Sequence, residues 1–323
     1  MMQTDMPLVS VGLPIYNRPE GLRRTLECFV NQTYANIEII IADNCSPDPE
    51  VEKIAREYVA KDDRISYFRH EENKGWGYNT NFVIEKAKGE YFLRATDDDW
   101  WDVTFVEKVM NLMLSNPTAS RGFSNFIEVD VNGEKSKLYL ADHLPLLQTF
   151  TGFDHTKNLK NFISQFEGFG KACLYFSIFK IEHLRSPFVI KALADQILAG
   201  DLLINFYFLL RGNVVIVPEV LMKATFGNEK LYEFHKVENK VRDFLFFTID
   251  TKQYLSVKQK WKQYFRLYFP LISNSNLSYK SKIILKIAVI RRILIFNYDL
   301  ICVNTNTRIF NIFYRLRRKH YLE

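Results

Sequence analysis

Over the first hundred residues the spacing of apolar positions alternates between two periods. Leu8-Val9-Ser10-Val11-Gly12-Leu13, closed by Pro14, is a short β-branched run and predicts a strand. Pro19 and Glu20 then open a helix on which Leu22, Leu26, Phe29 and Val30 recur at helical spacing. Residues 37–42 form a continuous apolar strand of the kind buried in a parallel sheet. The next helix carries Val51, Ile54, Ala55, Tyr58 and Val59 on one face. A third strand over 65–69, a helix through Asn79, Phe82, Val83 and Ala87 with Gly89 as its C-cap, and a strand over 91–94 follow. Such alternation predicts an α/β fold, a parallel sheet with crossover helices.

The second half is less regular. Residues 122–129 and 172–180 read as strands, and residues 214–217 as one more, stopped by Pro218. Gly200-Asp201 precedes an apolar stretch over 202–210, and helices are expected from about Lys252 onward. The most apolar long window, 283–303, is interrupted by Lys286, Arg291, Arg292 and Asp299, which argues against a spanning helix.

In open α/β sheets ligands bind outside the carboxyl ends of the strands. Tyr16-Asn17-Arg18, Asp43-Asn44, Asn73-Lys74-Gly75 and Asp97-Asp98-Asp99 all fall at such ends. Three adjacent carboxylates are costly unless a cation or several donors sit among them. Magnesium characteristically takes one or two carboxylates together with substrate phosphates. The acidic turn is therefore either a metal–diphosphate site or a solvated turn capping the helix after it.

Composition and charge add a second feature. The 323 residues are 47% hydrophobic and 15% aromatic, enough for a substantial core. Cys28, Cys45, Cys173 and Cys302 form no C-x-x-C pair, against structural zinc and a disulfide framework. No basic segment followed by an apolar core opens the chain, so no secretion signal is read and a reducing cytoplasm is expected. From Lys252 on, fifteen Lys and Arg face two acids, about +13 against about −7 for the rest. A basic tail on an acidic body points to an anionic surface, membrane or nucleic acid.

The ordered motifs Val9 to Arg18, Ile39 to Ser46, Asn73-Lys74-Gly75 with Asn79 and Asn81, Lys88-Gly89-Glu90-Tyr91, and the acidic turn resemble the family 2 glycosyltransferases. That resemblance implies the GT-A fold, a Rossmann-like, mostly parallel sheet flanked by helices. It covers roughly residues 7 to 225, with a donor half over 1–101, an acceptor half over 102–225 and a basic helical region over 226–323 outside it. By resemblance, Pro14, Tyr16, Asn17 and Asp43 hold the donor's base, the Asn73 to Gly75 loop faces the nucleotide, and Asp97 faces the ribose. Asp98 or Asp99 would bind Mn2+ or Mg2+, and Asp201 would act as general base, with Asp195 in reserve and helix capping as the alternative role for Asp201. Trp100 and Trp101 either stack on a sugar or belong to the core. The implied reaction is inverting, metal-dependent transfer of one sugar from a nucleotide-diphosphate sugar, UDP- or dTDP-linked first, to a saccharide or lipid-linked acceptor of a cell-surface polysaccharide. The Gln-x-x-Arg-Trp motif of processive synthases is absent.

In the tail, helical geometry sets Lys258, Lys262 and Arg266 opposite Trp261, Tyr264, Phe265 and Tyr268. Arg308, Arg315 and Lys319 similarly oppose Ile309, Phe313 and Leu316. Basic amphipathic helices with aromatics lie in membrane interfaces, so an anionic inner membrane face, rather than nucleic acid, is the expected partner. The rival is a non-catalytic nucleotide-, lipid- or nucleic-acid-binding module. A pyrophosphorylase or a Rossmann dehydrogenase would need a Gly-rich turn where Pro14-Ile15-Tyr16-Asn17 stands.

Overall fold

The computed structural model describes residues 6–130, 133–134, 144–152, 154–165, 173–195, 199–225 and 254–304. The chain divides into two compact units, 1–162 with 167–228, and 163–166 with 229–323.

The first unit is built on β1 (Val9–Ile15), whose residues are nearly all buried. It pairs in parallel with β2 (Ile37–Asp43), with Val11 opposite Ile39. The remaining elements of this half are α1 (Pro19–Val30), α2 (Pro49–Val59), β3 (Ile65–Arg69), which pairs with β2, α3 (Trp76–Lys86) and β4 (Tyr91–Arg94), which pairs with β1. Pro19 starts α1 where a missing N–H costs nothing, and Leu22, Leu26 and Phe29 form its buried stripe. The Asp48 side chain accepts from the Glu50 N–H and caps α2. The alternating part of the sheet is wholly parallel, as its pattern predicts.

Next come β5 (Trp100–Trp101), α4 (Phe105–Leu114), β6 (Ala119–Val129), α5 (Leu144–Gln148) and α6 (His155–Ser164). A 3-10 turn (Cys173–Phe176) leads to β7 (Ile178–Lys180), α7 (Ile181–Leu184), α8 (Pro187–Ala194), α9 (Gly200–Leu209) and β8 (Asn213–Thr225). The strand order is β3-β2-β1-β4-β7-β6-β8-β5. Direction reverses at β7, antiparallel to both β4 and β6, and again at β5 against β8.

Four expectations change. The helix expected to be capped by Gly89 ends at Lys86, with Ala87 as its C-cap. The strand expected over 172–180 shrinks to three residues, because the Ser177 hydroxyl donates to the Leu174 carbonyl at 2.7 Å and bends the chain before it. The strand expected to stop at Pro218 runs on to Thr225. Val217 pairs with Ser124 and Val220 with Asn125, so Pro218 and Glu219 lie exposed in a register shift that needs no ladder hydrogen bond from proline. The acidic turn leads into a two-residue strand, not into a helix.

In the second unit, α10 (Tyr254–Ser273) and α11 (Tyr279–Asn304) are described. Trp261, Tyr264, Phe265 and Tyr268 are buried, with Phe296 of α11 at 5.1 Å from the Trp261 ring and 5.3 Å from that of Phe265. The aromatic face expected to meet a membrane is thus spent on helix packing. Arg308, Arg315, Lys319 and their apolar counterparts lie outside the described residues. Among the described residues no helix is long and apolar enough to cross a membrane.

Candidate active site

The carboxyl ends of β1, β2 and β4 bring the polar loops together. Asp43, the last residue of β2, is fully buried. One of its oxygens accepts from the Ser46 N–H at 2.8 Å and the Ser46 hydroxyl at 2.5 Å; the other accepts from the Tyr67 hydroxyl at 3.0 Å and Arg69 Nη1 at 2.5 Å. A carboxylate offers about four acceptor positions, and all are engaged. Here Asp43 fixes the loop, and a base would reach it only by displacing one of these donors. Asn17, at φ +56°, donates its N–H to Ser46 Oγ and accepts from the Asp48 N–H, tying the β1 loop to the β2 loop. Tyr16 stands exposed beside it, and Pro14 is half-buried one turn of pleat below.

The third loop is held from the second. Asn44 donates to Asn73 Oδ1 at 2.8 Å and accepts from the Lys74 N–H at 3.0 Å. Asn73 Oδ1 also accepts from the Gly75 N–H at 2.9 Å. Gly75 has φ +83°, a conformation that side chains strain, and α3 begins directly after it. Asn79 on α3 reaches back to the Ala42 carbonyl at 2.8 Å.

The acidic turn splits three ways. Arg18 Nη1 lies 3.0 Å from Asp97 Oδ1 and 2.7 Å from Asp98 Oδ2, one nitrogen bridging two carboxylates. Asp97 is buried and its Oδ2 has no partner. Burial pushes its carboxyl up to about 6, against the opposing pull of Arg18. Asp98 is the open member, its side chain 37% exposed. Asp99 points inward, taking the Thr96 hydroxyl on one oxygen and the Thr225 N–H at 2.8 Å on the other. Burial, then the neighbouring Asp98, hold its carboxyl well above the ordinary range. Of the two residues expected to meet a metal, Asp98 faces out and Asp99 is tied into the sheet.

Among the described residues no three His, Cys, Asp or Glu side chains are grouped to hold a metal alone. The Asp97–Asp98 pair nevertheless suits a divalent ion completed by substrate phosphates. The unpartnered Asp97 oxygen and a guanidinium already seated between the two carboxylates mark a cation locus.

Asp201 lies in the first turn of α9, and the cap position belongs to Ala199, in left-handed conformation. Asp201 is thus a first-turn acid of the helix and not its N-cap residue. Tyr175, buried, has its phenol pushed up to about 12 by desolvation, with Arg94 opposing and Asp201 adding to the shift. The Arg94 guanidinium sits 5.3 Å from the Tyr175 ring and also acts on Asp99. The Arg94 charge is thus felt at both Tyr175 and Asp99, and that of Asp201 at Tyr175. Asp195, the reserve, is committed to a surface pair with Lys191 at 2.7 Å. Trp101 is core, 4.8 Å from the Phe105 ring, whereas Trp100 is half-buried under Arg24 at 3.9 Å.

Sequence reasoning missed the bridging role of Arg18, although it stands in the first motif. It also missed Arg24, which donates to the Asp98 carbonyl at 2.9 Å, and Thr225, whose hydroxyl donates to that same carbonyl. Nothing local to Thr225 marks it, because its partners lie more than a hundred residues upstream.

The model of the family described as glycosyl transferase family 2 matches residues 10–180. An uncharacterised glycosyltransferase of Haemophilus influenzae is 34% identical over 148 residues, 45% of this chain and 58% of that protein. The putative teichuronic acid biosynthesis glycosyltransferase TuaG of Bacillus subtilis is 34% identical over 113 residues, 35% of this chain and 44% of that protein. Among solved structures, the mannosyltransferase PcManGT from Pyrobaculum calidifontis, in complex with GDP-Man and Mn2+, superposes with a TM-score of 0.54 at 14% identity. That likeness is one of fold and covers 99% of this chain and 82% of the other. The sequence matches span little more than half of the first relative and less than half of the second.

Proposed function

The chain belongs to glycosyl transferase family 2, and from that premise we propose that it moves one sugar from a nucleotide-diphosphate donor to a saccharide acceptor. UDP- and dTDP-sugars are the first candidates, a lipid-linked oligosaccharide the acceptor, and a cell-surface polysaccharide the product. Residues 1–101 would form the donor half and 102–225 the acceptor half. The observation that carries the reading is the Asp97–Asp98 pair bridged by one Arg18 nitrogen at the ends of the parallel strands.

Each residue has a task within this reading. Tyr16, Pro14 and Asn17 line the place for the base, with Asp43 holding the loop and exchanging one donor for the base. Asn73 and Gly75 shape the far wall. An Mn2+ or Mg2+ ion held by Asp98 and Asp97 would neutralise the charge on the departing diphosphate. Arg18, released from the two carboxylates, pairs with phosphate oxygens. Asp201 accepts the proton of the acceptor hydroxyl as it attacks the anomeric carbon, inverting its configuration.

Calorimetric titration of UDP, dTDP and GDP, with and without Mn2+, tests this. One nucleotide is expected to bind, and to lose that binding both without metal and in Asp98→Ala. Binding that ignores both metal and Asp98, with no sugar transferred, would overturn the transferase reading. An anionic membrane face is proposed as the place of work.

A further inference from the structure

On α11, Leu285, Ala288, Val289, Arg292 and Phe296 form the buried face. The opposite face is also apolar. Tyr279 (82% exposed), Ile283 (41%), Ile287 (59%), Ile290 (49%) and Leu294 (65%) step by four and three residues along one line of the helix. At the helical rise these positions span about 22 Å, long enough to lie on a surface and too short to cross a bilayer. Exposed Lys280 and Arg291 border the line on one side, and half-buried Lys282 and Lys286 on the other. No acidic residue occurs between Tyr279 and Phe296.

We propose that this outer face of α11 is the surface by which the protein docks on an anionic lipid bilayer, its isoleucines entering the acyl boundary and its basic borders meeting the headgroups. Charge decides between occupants. A second copy packed face to face would set lysine and arginine borders against their own kind with no acid to intervene. Negatively charged headgroups satisfy both borders at once and receive the stripe between them. The inference names the residues that make the membrane contact within the proposed function, and it replaces the aromatic face of α10, which the fold has buried. It does not depend on sugar transfer.

The test is flotation of the full chain with vesicles of mixed phosphatidylglycerol and phosphatidylcholine, against phosphatidylcholine alone. The wild type is expected to float with the anionic vesicles and to release in high salt. Ile287→Glu with Ile290→Glu is expected to weaken binding by about tenfold or more. Lys280→Ala with Arg291→Ala is expected to weaken it by about fivefold for each charge removed. Circular dichroism confirms folding, and Ile287→Ser with Ile290→Ser substitutes if the glutamates unfold the chain. Binding unchanged by these variants, or none by the wild type, overturns the proposal. So does a wild-type dimer that the glutamate variant splits without altering flotation. Nucleotide titration runs on the same samples, so loss of lipid binding and failure of the donor site are read separately.

Discussion

Arg18 and Asp97 set attraction against desolvation at one site. A half-exposed guanidinium serves two carboxylates, and the buried one still holds its proton to about 6 because desolvation exceeds the attraction. An acid whose folded pKa is raised binds more protons folded than unfolded across the window between the ordinary value and the raised one. Stability therefore falls as pH rises from about 4 to about 6, and the penalty persists above that window. Asp97→Asn lacks this slope. Urea unfolding in metal-free buffer should show the variant gaining on wild type by about 2 kcal/mol between about pH 4 and pH 7. Parallel pH profiles would mean that Asp97 is ionised throughout. The sequence made the acidic cluster legible but not its division of labour. Which of three adjacent carboxylates turns inward is set by Thr96 and Thr225, and only the first is a neighbour.

Among the elements, α1 and the acidic turn are fitted to each other. A Cβ added at Gly21 would stand 1.8 Å from the Asp97 carbonyl oxygen, a backbone atom that cannot step aside. Gly21 is what lets the first turn of α1 come that close, and that turn follows directly on Arg18. Gly21→Ala is expected to cost about 2 kcal/mol or more in stability and to weaken nucleotide binding, since the turn must shift to admit the methyl group. Thermal unfolding with calorimetry checks both, and an unaffected donor site would uncouple the helix from the turn. Apolar period placed the early strands and helices because each buries a continuous run or a clean stripe. It failed at Pro218, where a register shift removed the usual objection to proline. It also failed on α10, whose aromatic face reads alike whether lipid or another helix covers it.

At the scale of the whole molecule, the residues proposed for donor and acceptor chemistry separate along the chain. Asp98 comes from the parallel half, and Asp201 from a helix that follows the reversal at β7. Their variants should therefore differ in kind. Asp201→Asn is expected to keep nucleotide and metal binding while losing transfer by about a hundredfold or more, the scale of a lost general base. Retained turnover would remove Asp201 from the chemistry. The parallel half was legible because its strands announce themselves locally. The seat of Arg94 on the Tyr175 ring was not, since it depends on β7 inserting between β4 and β6.

The clamp at Thr225 sets a condition on biosynthesis. All the recognisable motifs of the donor half have been synthesised by residue 101, yet the turn that carries them is closed by a strand that ends at 225. At usual translation speeds the ribosome needs roughly 6 to 25 seconds more to deliver that strand. Until then the Asp99 carboxylate lacks the Thr225 N–H and the Asp98 carbonyl lacks the Thr225 hydroxyl. A nascent chain at that stage carries the motifs of the donor half without the strand that closes their acidic turn.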